Sequence, residues 1–89
     1  MDKPAGTAMN YDELRGAIAQ RHRALSGRLQ QIAEFVLDHP TDVALGTVAE
    51  IAERSGVPPS AIVRFAHALG FGGFTQMQQV FRSRLVAGV

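Results

Sequence analysis

Residues 47–74, TVAEIAERSGVPPSAIVRFAHALGFGGF, decide the fold. Thr47 is a good helix N-cap. Glu50, three residues later, completes a capping box, in which each side chain satisfies a free backbone N–H at the helix start. Val48, Ile51 and Ala52 follow at helical spacing. Gly56 ends that helix, because glycine enters the left-handed region at little cost. Pro59 restarts the chain, since its fixed φ suits a first helical position. Ile62, Phe65, Ala66 and Leu69 recur at i, i+3, i+4 and i+7 as one apolar stripe. Gly70 closes the second helix as Gly56 closes the first.

Two short helices joined by a glycine-containing turn carry the signature of a helix-turn-helix. Ala52 lies four residues before Gly56, where the helices cross and a large side chain would force them apart. Val57 plugs the turn, and Ile62 and Phe65 face back onto the first helix. The other face of the second helix, about residues 59–69, presents Pro59, Ser60, Val63, Arg64 and His67. In a DNA reader that face enters the major groove. In an ordinary helical hairpin it is simply solvated.

Upstream, residues 1–9 (MDKPAGTAM) hold a proline and a glycine without periodicity and are expected to be a disordered tail. Asn10, with Glu13 three residues on, caps a first helix over 11–22. Its stripe is Tyr11, Leu14, Ala17, Ile18 and the stem of Arg21. Gly16 costs this helix about 1 kcal/mol relative to alanine, so it depends on packing. Ser26 caps a second helix, in which Leu29, Ile32, Ala33 and Val36 form a stripe widened by Phe35 and Leu37. Such a helix is covered on two sides and is therefore central. Pro40 disfavours a helical residue before it and stops this helix near His39. Residues 41–46 read as a connector, with Val43 and Leu45 turned inward.

Downstream, Phe71-Gly72-Gly73-Phe74 reads as a tight corner that pins two phenylalanines into the core. It lacks the preceding strand and the Gly-Lys-Ser/Thr run of a phosphate cradle. A last helix over 74–86 places Met77, Phe81 and Leu85 on one face, with Val80 beside it. Arg82 and Arg84 fall near its C-terminus, where positive charge suits the helix dipole. No stretch alternates with period two. The expected fold is all-α: a five-helix orthogonal bundle containing a helix-turn-helix, homeodomain-like.

Eighty-nine residues make one small domain, and 46% apolar content is sufficient for a single core. The absence of cysteine excludes a disulfide framework and thiolate chemistry, and fits a cytoplasmic protein. No apolar run approaches the roughly 20 residues of a membrane span. The net charge is only +1, but it is unevenly spread. Residues 1–46 carry five basic and six acidic side chains, whereas 47–89 carry Arg54, Arg64, Arg82 and Arg84 against Glu50 and Glu53. The half with the motif is the positive half.

Several runs in the chain resemble the N-terminal domain of RpiR-type bacterial transcriptional regulators. They are Leu25-Ser26, Ile32 to Leu37, Pro40, Ile51-Ala52, Gly56-Val57, Ile62-Val63-Arg64-Phe65 and Leu69-Gly70-Phe71-Gly72-Gly73-Phe74. The resemblance covers about residues 10–86, and its most specific piece is Ile62 to Phe65 followed by Leu69-Gly70-Phe71. It implies a double-stranded DNA partner, a homodimer on a palindromic operator, and control of sugar or phosphosugar metabolism. It further implies a C-terminal sugar-isomerase-like domain that senses a phosphosugar effector, with residues 87–89 as the start of the linker to it. Pro58 and Ala61 depart from the family pattern, which often has serine and threonine there. Ala66-His67-Ala68 stands where the family often has basic residues.

The candidate DNA-binding residues are Thr47, Pro59, Ser60, Val63, Arg64 and His67, and each has a plainer alternative. Arg64 can donate a bidentate pair to guanine, or form a salt bridge to Glu50 or Glu53. Ser60 can hold a phosphate or base edge from the first turn, or merely open the helix. Thr47 caps its helix and can also contact phosphate. Val63 can meet a thymine methyl or stand exposed, and His67 can touch DNA or be solvated. His22, His39 and His67 are scattered, no cluster has metal-ligand spacing, and catalysis, a metal and a cofactor are not expected. The rival reading is a helical protein-interaction or dimerisation module. Leu14, Ile18, Val80 and Leu85 on the terminal helices are expected to exceed what one small core buries, and so to pair two copies.

Overall fold

The chain turns on its caps. The computed structural model describes residues 10–87, and six α-helices lie among them: α1 (Tyr11–Arg21), α2 (Gly27–Asp38), α3 (Pro40–Leu45), α4 (Val48–Ser55), α5 (Pro59–Ala68) and α6 (Phe74–Ala87). A short 3-10 turn, His22–Ala24, follows α1. No strand occurs among the described residues. The tail expected over 1–9 and the last two residues lie outside them.

Two helices start on full capping boxes. Glu13 N–H donates to Asn10 Oδ1 at 2.8 Å, and Asn10 N–H to Glu13 Oε1 at 3.0 Å. Glu50 N–H donates to Thr47 Oγ1 at 3.1 Å, and Thr47 N–H to Glu50 Oε1 at 2.9 Å. Ser26 Oγ accepts from Leu29 N–H at the start of α2. Both glycine stops are left-handed, Gly56 at φ 76° and Gly70 at φ 94°. Behind each, a backbone N–H reaches five residues back: Val57 to Ala52 O and Phe71 to Ala66 O, both at 3.0 Å. These bonds close the last turns of α4 and α5.

The expected connector over 41–46 is the helix α3, which raises the count from five to six. Pro40 both ends α2 and opens α3, because its missing N–H and fixed φ suit a first helical position. Val43 turns inward as expected and is fully buried, together with Ala44. Leu45 does not: it is 69% exposed, because helical geometry rotates it away from Val43 and Ala44.

α2 is central, packing against α1, α3, α4 and α5. Leu29, Ile32, Ala33 and Val36 from α2 join Ile51, Ala52, Ile62, Phe65, Ala66, Met77 and Phe81 in one core. Leu14 and Ile18 are also fully buried there, which removes half of the apolar surplus expected on the terminal helices. Val80 and Leu85 are half-buried against the same core. Phe71 and Phe74 pack on it but are only half-buried, so the glycine corner pins them at its rim. No helix among the described residues is long and apolar enough to cross a membrane.

Candidate nucleic-acid interface

α5 divides sharply into two faces. Ala61, Ile62, Phe65 and Ala66 are buried, while Pro59, Ser60, Val63, Arg64 and His67 are exposed. The inward face works because Ala52 and Val57, both buried, let α4 and α5 approach. Among the described residues Val63, at 37% exposure, and Leu45 are the two large apolar side chains left in solvent. Pro58 occupies the N-cap of α5 and forms no side-chain bond; its carbonyl takes Ala61 N–H at 3.0 Å. Pro59 has no N–H, so the first turn of α5 keeps the Ser60 N–H for an external acceptor.

Arg64 is exposed and forms no hydrogen bond or ion pair among the described residues. Neither expected bridge, to Glu50 or to Glu53, exists. Glu50 is already engaged by the Thr47 cap. The neighbouring arginine behaves differently. Arg54 Nη1 lies 3.1 Å from Asp42 Oδ2, and its guanidinium lies over the Phe35 ring at 5.1 Å. Arg54 thus ties α4 to α3 and α2, leaving Arg64 as the free cation of this face.

His67 is tethered. Its Nε2 lies 3.2 Å from Gly72 O, and since a carbonyl only accepts, that nitrogen carries the proton. The bond joins the last turn of α5 to the glycine corner. Thr47 stands at the start of α4, exposed, with its hydroxyl oxygen in the cap. The structure thus gathers Pro59, Ser60, Val63, Arg64 and His67 on one helix, and places Thr47 on another helix's N-terminus.

Three residues that hold this face were missed by periodicity. Arg21 Nη1 donates to Ala68 O at 2.6 Å and caps the C-terminus of α5. Gln31 Nε2 donates to Ser55 O at 3.3 Å, bracing the turn between α4 and α5. Gln78 Nε2 donates to Val43 O and Gly46 O and braces the approach to Thr47. All three reach across more than twenty positions, where no local pattern announces them.

Residues 12–87 match the family model described as the helix-turn-helix domain of the rpiR family. A stretch of 52 residues is 31% identical to an uncharacterised HTH-type transcriptional regulator in the aarA 3′ region of Providencia stuartii, covering 58% of this chain and 18% of that protein. The fold is similar to the crystal structure of the N-terminal domain of ybbH, named as a transcriptional regulator, from Bacillus subtilis. The TM-score is 0.72 at 24% identity, over 76% of this chain and 83% of that one.

Proposed function

The chain belongs to the rpiR family of helix-turn-helix domains, and from that premise we propose that it reads a specific duplex DNA sequence with α5 in the major groove. The observation that carries this reading is Arg64: a solvated guanidinium on the outward face of α5, without a partner among the described residues although two glutamates lie on the adjoining helix. A fork of N–H donors held free in this way suits the O6 and N7 edge of guanine. Ser60, with its hydroxyl and its own backbone N–H, reaches a phosphate or base edge, and Val63 meets a thymine methyl. His67 borders the contact from its tether to Gly72. Thr47 and the first turn of α4 take a backbone phosphate, as helix N-termini do.

The finer reading concerns the whole regulator. The chain spans 18% of the length of the curated relative it matches. We read the regulator as cytoplasmic, binding a palindromic operator as a homodimer and controlling sugar or phosphosugar metabolism. A sugar-isomerase-like domain elsewhere in the protein supplies the response to a phosphosugar. With Leu14 and Ile18 buried, Val80 and Leu85, both half-buried, remain partly available for pairing.

The test is a fluorescence-anisotropy titration of wild type and Arg64→Ala against a selected operator. Arg64 makes no bond among the described residues, so the variant is expected to melt with the wild type. It should lose about 1–3 kcal/mol on the preferred site and relax base preference there. A folded variant with full affinity and full preference would defeat the reading and favour a protein-interaction module.

A further inference from the structure

We infer that Gln78 is a positioning residue for DNA contact: from α6 it fixes the peptide that presents the N-terminus of α4. The inference rests on the DNA-binding reading above. Gln78 is the one buried polar side chain among the described residues, at 7% exposure, inside an otherwise apolar core. Burying an amide there is unfavourable unless its donors are satisfied. Both are: Nε2 donates to Val43 O at 3.1 Å and to Gly46 O at 2.7 Å. One turn later, Arg82 Nε donates to Ala44 O at 2.9 Å. The Val43 and Ala44 carbonyls, which have no partner inside α3, are therefore held by α6.

The bond to Gly46 matters most. Gly46 C=O and Thr47 N–H belong to one peptide unit, which is planar and rigid. Gln78 holds its oxygen, and Glu50 Oε1 accepts its N–H at 2.9 Å. The unit is thus fixed on both sides, and its plane sets where the Thr47 hydroxyl and the free first-turn N–H groups of α4 point. Those are the groups assigned to phosphate. Gln78 touches no DNA in this arrangement; it acts through the Gly46–Thr47 peptide.

Gln78→Met keeps an unbranched side chain of similar length and removes both donors. Amide hydrogen exchange should quicken at Thr47 and Glu50 and stay unchanged along α5. Every duplex should bind more weakly, by about two- to five-fold, the worth of one anion at a helix N-terminus. The loss should be equal on every sequence, with base preference unaltered, because the displaced groups meet backbone phosphate. A merely structural role would lower the melting temperature and leave the affinity of the folded protein unchanged. If Gln78→Met fails to fold, Gln78→Asn, which keeps the amide but is one methylene short of Gly46 O, is read the same way. A folded variant with wild-type exchange at Thr47 and Glu50, or with wild-type affinity, overturns the inference and leaves DNA binding standing. Wild-type protein that binds no duplex at low salt overturns the DNA-binding reading and this role with it.

Discussion

At the last position of α4, Ser55 buries its hydroxyl oxygen without a hydrogen-bond partner among the described residues. Its own carbonyl is taken by Gln31, so the backbone there is satisfied and the side chain is not. A buried hydroxyl without a partner is destabilising, and serine is a poorer helix former than alanine. Ser55→Ala should therefore stabilise the domain by about 0.5–1.5 kcal/mol and raise its melting temperature by several degrees. Thermal denaturation followed by circular dichroism measures this, and a lowered midpoint would show that the hydroxyl has a favourable role. Residue-scale chemistry of this kind was only partly legible in the sequence. The caps of Asn10 and Thr47, and the left-handed Gly56 and Gly70, were legible because each acts within five residues of itself. The free state of Arg64 was not, because Glu50 and Glu53 offered equally plausible partners. The Thr47–Glu50 capping box was itself readable, yet only the packed structure shows that Arg64 meets neither glutamate while Arg54 is taken by Asp42.

Among the elements, α3 shows where local patterns run out. It has six residues and no side-chain N-cap, and a segment that short is not helical on its own propensity. Its C-terminal carbonyls are held by Gln78 and Arg82, which stand 32 to 38 positions further along. The longer helices α2, α5 and α6 were legible because their buried residues repeat over two or more turns. The tight junction of α3 and α4 gives a prediction of its own. Gly46 N–H donates to Asp42 O at 2.8 Å, and a Cβ built on Gly46 would stand 2.8 Å from that same oxygen. The backbone angles at Gly46 are ordinary (φ −93°), so the constraint is space and not conformation. Because the obstructing atom is backbone, relief requires the junction to open. Gly46→Ala should cost about 1–3 kcal/mol, as overpacking does. Urea denaturation reads the loss, and an unchanged midpoint would mean that the junction yields freely.

Over the whole molecule, the arginines divide by use. Arg21 caps α5 at Ala68, Arg54 pairs with Asp42, Arg82 caps α3 at Ala44, and Arg84 donates to Thr41 and lies over Tyr11. The positive half that composition suggested over 47–89 therefore spends most of its charge inside the bundle, with Arg64 left for a ligand. Arg15, Arg23 and Arg28 are exposed and make no bond among the described residues, but they belong to α1, the 3-10 turn and α2. Few cations thus face the phosphates, and the isolated domain should bind DNA weakly. With about three phosphate contacts per copy, log affinity should fall with log salt at a slope near −3 on a duplex holding one half-site. On a duplex holding two half-sites about 34 Å apart, the spacing of one helical turn, the slope for filling both should approximately double. Affinity measured by anisotropy between 50 and 200 mM salt, about a four-fold range over which such slopes are resolved, separates the outcomes. A slope near −3 on both duplexes would mean that a single copy binds and that pairing lies outside this domain. A slope near zero would mean that phosphates are not the partner, and that the exposed face of α5, Val63 included, docks on protein instead.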